Sequence, residues 1–130
     1  MSAAAEKALA ELTEISSQVQ AAALSDRKGS FETTTLTDDV EGKQLVSAAK
    51  ALLEAAETLR GDGETEVTQL EVALSEGSVF VARDDERLVA AVTGPEPTSG
   101  LVFYDLKSCL RTAAAKPKRR RASTKAKSSA

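Results

Sequence analysis

The sequence predicts an α+β domain, a five-stranded antiparallel sheet held between one long helix and two flanking helices in the order αββαβββα. Three observations carry this. From Glu41 to Arg60, Leu45, Ala48, Ala49, Leu52, Ala56 and Leu59 recur at the three- and four-residue spacing of one helix face. Two short extended segments precede that stretch and three follow it, joined by turns too short for parallel crossovers. Amphipathic helical segments then close the chain at either end.

Taken in order, Ala3 to Ser16 reads as a helix, with Ala5, Ala8, Leu9, Leu12 and Ile15 on one face and Glu6, Glu11 and Glu14 largely off it. Val19 to Leu24 shifts to a strand whose Val19, Ala21 and Ala23 are expected to point one way. The turn Ser25-Asp26-Arg27-Lys28-Gly29, with Gly29 free to take positive φ, leads into the Thr-rich segment Ser30 to Leu36. Asp38 and Asp39 are candidate N-caps for the long helix, and Gly61 or Gly63 can end it. On that helix Val46 and Leu53 widen the apolar stripe, and Lys43, Lys50, Glu54 and Glu57 fill the remainder. Strands are then expected over Val67–Leu74, Ser78–Ala82 and Leu88–Val92. After Gly94-Pro95-Glu96-Pro97, Thr98 or Ser99 can cap a last helix whose apolar face is Val102, Phe103, Leu106, Cys109, Leu110 and Ala113.

Composition narrows the function. The 130 residues suffice for one domain with its own core, and that core is aliphatic, since aromatics are only 3%. The absence of His removes Ser-His-Asp and Cys-His nucleophiles and most zinc sites. A single cysteine, Cys109, cannot form an internal disulfide, and on an apolar helix face it reads as a small core residue. Neither a membrane span nor a secretory signal is recognisable, so a cytoplasmic location is expected. The net charge of −3 conceals a division: seven of the 17 basic residues fall in 116–130, where there is no acid. Ten are left against 20 acids in 1–115, a body of −10 carrying a tail of +7. Two units are therefore expected, a domain over 1–115 and a disordered basic tail over 116–130, whose composition cannot offset the entropy of ordering.

The ordered elements, with Leu9-Ala10-Glu11-Leu12, the turn ending at Gly29, Lys50-Ala51-Leu52-Leu53-Glu54-Ala55-Ala56, Leu88-Val89-Ala90-Ala91-Val92-Thr93 and Gly100-Leu101-Val102, resemble the Roadblock/dynein light-chain domain family. The resemblance covers about residues 4–115 and includes the bacterial members that regulate Ras-like small GTPases. It implies a Roadblock or profilin-like fold, no cofactor, no enzymatic activity, and a regulator or scaffold that homodimerises and binds such a GTPase. Two features depart from the family pattern: Gln18–Ala23 is more polar than its usual first strand, and the basic tail lies outside it.

Candidate sites follow from these features. Val46, Lys50, Leu53, Glu54 and Glu57, on one flank of the long helix, are the candidate dimer and partner interface, set against the alternative that they complete a wide core contact. Lys116, Lys118, Arg119, Arg120, Arg121, Lys125 and Lys127 would contact nucleic acid or an anionic lipid surface if the tail is a binding arm, and only water if it is a solubility tail. A dimeric nucleic-acid-associated protein acting through that tail is thus the rival function. Arg119-Arg120-Arg121-Ala122-Ser123 also has the form of a basophilic kinase site. The acidic turn Asp84-Asp85-Glu86 lacks calcium-loop spacing and reads as a solvated hairpin tip. Arg60-Gly61-Asp62 is explained by the end of a helix. No G-x-x-x-x-G-K-[ST] loop is present, so the chain is not itself a GTPase.

Overall fold

Four alanines set the geometry of the molecule. In the computed structural model, which describes residues 3–60 and 66–114 (only the main chain of Arg60), Ala22 and Ala23 of one strand lie opposite Ala91 and Ala90 of another, all fully buried. Side chains this small at the centre of a sheet let helices approach both faces closely.

The elements are α1 (Ala3–Ile15), β1 (Val19–Asp26), β2 (Phe31–Thr34), α2 (Asp39–Arg60), β3 (Gln69–Leu74), β4 (Gly77–Arg83), β5 (Arg87–Thr93) and α3 (Ser99–Ala114). The strands form one sheet in the order β2-β1-β5-β4-β3, every pairing antiparallel. The expected α+β architecture is therefore the observed one, with α2 on one face and α1 and α3 packed together on the other. The bounds differ by a few residues: β2 is shorter than 30–36, β3 starts at Gln69, and α2 starts at Asp39.

Local chemistry fixes the junctions. Asp38 caps α2, its Oδ1 accepting from the Val40 N–H at 2.8 Å while its carbonyl accepts from Glu41 and Gly42. In the β1–β2 turn Asp26 Oδ1 accepts from the N–H groups of Lys28 and Ser30, each at 2.9 Å. Gly29 there has a φ of 98°, open only to glycine without strain. The carbonyl of Thr98 accepts from Leu101 and Val102 at the start of α3, while the Ser99 hydroxyl donates instead to Glu71 at 2.7 Å.

The two faces carry unequal cores. Beneath α1 and α3, Leu9, Leu12, Leu24, Phe80, Val89, Val102, Leu106 and Leu110 form a thick apolar layer, with Phe80 and Phe103 edge-on at 5.0 Å. Beneath α2 the buried cluster is thin: Ala49, Leu53, Val81, Leu88 and Ala90, with Leu45, Val67, Leu70 and Val79 partly buried around it. One expectation for β1 fails here. Register shifts between Val19 and Ala21, so Val19 joins Ala22 and Leu24 under α1 and α3, while Ala23 pairs with Ala90 on the α2 face. A bulge adds one residue to one strand and so reverses the alternation beyond it.

Candidate partner-binding surface

α2 carries two apolar stripes, and the sheet takes the one the periodicity reading assigned to the interface. Gly42, Val46, Ala49 and Leu53 form the buried line, Val46 with 1% and Leu53 with none of its surface exposed. The other stripe turns sideways and outward. Ala48 is exposed, Leu45, Leu52 and Ala56 are half-buried, and Leu59 is 88% exposed. The two stripes are one position out of step, which is a rotation of about 100° about the helix axis. Val46 and Leu53 are therefore core residues rather than contacts for a second subunit, and a charge at Leu53 would break the domain itself. Spacing alone cannot choose between stripes on so alanine-rich a helix.

The charged candidates separate as well. Lys50 and Glu54 form an exposed i,i+4 ion pair at 2.7 Å. Lys43 lies 6.0 Å above the ring of Phe31, which puts this charged flank of α2 on the β2 side of the sheet. Glu57 turns inward. It accepts from the Val67 N–H at 3.0 Å and pairs with Arg83, whose Nε donates to the Val67 carbonyl at 3.0 Å. That backbone donor, and then the Arg83 guanidinium, hold the Glu57 carboxyl below its ordinary value of 4.5. This clamp ties α2 to β4 and to the segment before β3.

The apolar stripe faces the opposite way, toward β3. That strand is the sheet edge, and one side of it has no strand partner among the described residues. Leu70, Val72 and Leu74 share a β3 face; Leu70 and Val72 are half-buried and Leu74 is 59% exposed. Leu70 packs with the cluster under α2, so this is the α2 face of the sheet. The stripe Leu45–Ala48–Leu52–Leu59 and the face Leu70–Val72–Leu74 thus adjoin, beside an open strand edge.

The remaining candidates are quickly placed. Cys109 is buried, and burial, with the nearby Glu11 charge, pushes its thiol up to about 12, so it is not a nucleophile at neutral pH. Asp84 Oδ1 closes its own turn, accepting from the Glu86 and Arg87 N–H groups at 2.9 Å each. Four arginine side chains are described, and all are engaged within the chain. Arg27 binds Glu66 and the Asp84 carbonyl, Arg83 binds Glu57, Arg87 pairs with Glu32 at 2.8 Å, and Arg111 meets Ser108. No described helix is long and apolar enough to cross a membrane, and no group of His, Cys, Asp or Glu among the described residues is placed to hold a metal. The helix end at Gly61–Gly63, the tripeptide Arg60-Gly61-Asp62 beyond the Arg60 main chain, and the tail cations lie outside the described residues.

No family profile matches the sequence, and no curated protein matches it. Solved structures do. A Roadblock/LC7 domain from Streptomyces avermitilis superposes with a TM-score of 0.71 at 16% identity, covering 82% of this chain and 91% of that one. MglB of Myxococcus xanthus gives 0.70 at 16% identity, covering 85% and 91%, and MglC of the same organism gives 0.56 at 15%, covering 85% and 98%. A further structure described as MglB with tetrameric arrangement gives 0.61 at 21% identity, covering 88% of each chain. With its element order, its sheet and its helix layers matched over most of both chains, the protein has the Roadblock/LC7 fold.

Proposed function

We propose that this protein is a non-enzymatic regulator or scaffold that homodimerises and binds a small Ras-like GTPase. The observation that carries the dimer is the open β3 edge lying beside the apolar stripe of α2 and the face Leu70–Val72–Leu74. An unpaired edge is a template for another strand. Pairing two β3 edges antiparallel about a two-fold axis would extend the sheet and bring both apolar α2 stripes into one seam. Lys50 and Glu54, bound to each other and exposed, stay outside that seam and would flank a composite platform with Lys43.

The GTPase rests on the resemblance of the sequence to the Roadblock family and on the shared fold. A Ras-like partner rearranges its switch segments when the γ-phosphate is lost, so a platform touching them discriminates two nucleotide states. The engagement of Arg27, Arg83, Arg87 and Arg111 within the chain leaves none of them poised as a catalytic finger. Regulation would then act by positioning the switches or shifting their equilibrium, with the chemistry supplied by the partner's own groups. The test is titration of residues 1–115 with small GTPases of the same cell, loaded with either nucleotide. Tighter binding of one state is expected, and charge reversal at Lys50 and Glu54 should weaken it. Equal affinity for both states would leave a scaffold only, and no binding to any of them would overturn the proposal.

A further inference from the structure

On the face of the sheet opposite α2, one acidic side chain is buried without a partner. Asp105 of α3 has 7% of its surface exposed, yet no hydrogen bond or ion pair joins its carboxylate to any described residue. A buried carboxylate left unpaired is costly, so its site calls for a cation. Arg111, on the same helix, binds the Ser108 hydroxyl at 3.0 Å instead.

Asp105 lines a cleft of about 20 Å³ between α1 and α3, with Glu11, Leu12, Ile15, Ser108 and Thr112. That volume takes one water-sized group, which fits an ammonium head and is too small for a planar guanidinium. An ammonium has three donors and no acceptor, and the cleft offers it the carboxylates of Asp105 and Glu11 and the Thr112 hydroxyl.

The rim at one end of this groove is apolar. Gln18 Oε1, just past α1, accepts from the Thr98 N–H at 2.6 Å just before α3, so the two helices run antiparallel. Ile15, near the end of α1, and Leu101, one turn before Asp105 on α3, therefore share that end. Both are exposed, as is Tyr104, three positions from Leu101 on the helix surface. A bare inorganic cation would use the acids alone, whereas exposed aliphatic side chains beside them suit a cation carried on an alkyl stem.

We infer that this groove seats a lysine of a partner protein, its ammonium against Asp105 and Glu11 and its methylene stem between Ile15 and Leu101. Tyr104 then meets an apolar neighbour of that lysine. The formal charge of −10 over residues 1–115 favours such a partner over an acidic one. The groove lies across the sheet from the α2 stripe, so both surfaces can be filled at once.

The test titrates the isotope-labelled full chain with n-butylammonium, the lysine side chain without its backbone, at low ionic strength. The backbone amide resonances of Glu11, Ile15, Asp105 and Ser108 shift together along one saturable curve. Butylammonium binds about tenfold more tightly than ammonium, because its alkyl group covers Ile15 and Leu101. Tetramethylammonium, too wide for the cleft and without a donor, does not bind there. Asp105→Asn loses the response to butylammonium and keeps the circular dichroism spectrum of the parent. No saturable shift at these amides, an unchanged response in Asp105→Asn, or equal affinity for ammonium and butylammonium overturns the inference. Shifts as large at the acidic tip Asp84-Asp85-Glu86 also overturn it, because they mark attraction to any exposed acid. Should Asp105→Asn fail to fold, the double variant Ile15→Ser with Leu101→Ser, altered only at exposed positions, decides. Loss of the preference for butylammonium over ammonium supports the lysine seat, and a retained preference overturns it.

Discussion

Truncating Leu53 and Leu59 to alanine, one at a time, separates the two stripes of α2. Leu53 is fully buried in a cluster of only five buried residues, with Val81, Leu88 and Ala90 beneath it. So thin a layer has few neighbours able to collapse into the space, so Leu53→Ala should cost about 3–5 kcal/mol, the upper part of the range for buried leucine truncation. At a typical urea slope for a small domain that is a midpoint lower by about 2 M. Leu59 is 88% exposed, so its truncation should leave protomer stability within about 0.5 kcal/mol. Urea unfolding followed by far-UV circular dichroism over a range of protein concentrations reads both. The Leu53 deficit should be independent of concentration, while any Leu59 deficit should fade as subunits are diluted apart. A Leu59→Ala loss as large as that of Leu53→Ala in dilute protein would refute the rotation of α2 described here.

Other perturbations reach other parts of the account. Gly77→Ala should destabilise by about 1–3 kcal/mol in chemical denaturation, because the added Cβ would stand 2.2 Å from the Thr93 carbonyl oxygen. The Glu57 clamp predicts a pH dependence: a carboxyl held below its ordinary value of 4.5 contributes stability fully present above that pH and lost as pH falls through its folded value. Glu57→Gln should accordingly flatten the acid side of the stability profile, seen as parent and variant converging in strong acid. The seven tail cations predict weak, sequence-independent affinity for duplex DNA, falling by up to about six powers of salt concentration and absent after removal of residues 116–130. Fluorescence anisotropy with a labelled duplex checks this, and equal affinity for full and truncated chains would exclude the tail.

What the sequence revealed and what it hid divides by the kind of signal involved. The order of elements and the antiparallel sheet were legible because apolar spacing and turn residues are local, and Asp38 and Gly29 do the work expected of them. The rotation of α2 was not, because its alanines extend two apolar stripes and only the width of the sheet decides which is covered. The β1 bulge hid for a related reason: one extra residue leaves alternation intact on either side and shifts only the phase. Arg83 and Glu57, 26 positions apart, meet through tertiary structure, so neither could be assigned its partner. Asp105 did carry a signal. It sits between Val102 and Cys109 on the apolar face of α3, where an acid interrupts an otherwise aliphatic line.

The claim on which the platform rests is self-association through the α2 stripe and the β3 edge, and sedimentation velocity tests it most directly. The full chain at micromolar concentration should sediment as a dimer. A variant with Leu52→Asp and Leu59→Asp should sediment as a monomer with an unchanged circular dichroism spectrum, because those side chains face outward or sideways rather than into the buried line beneath α2. A parent chain that is monomeric at that concentration, or a doubly charged variant that still dimerises as tightly as the parent, would contradict the account.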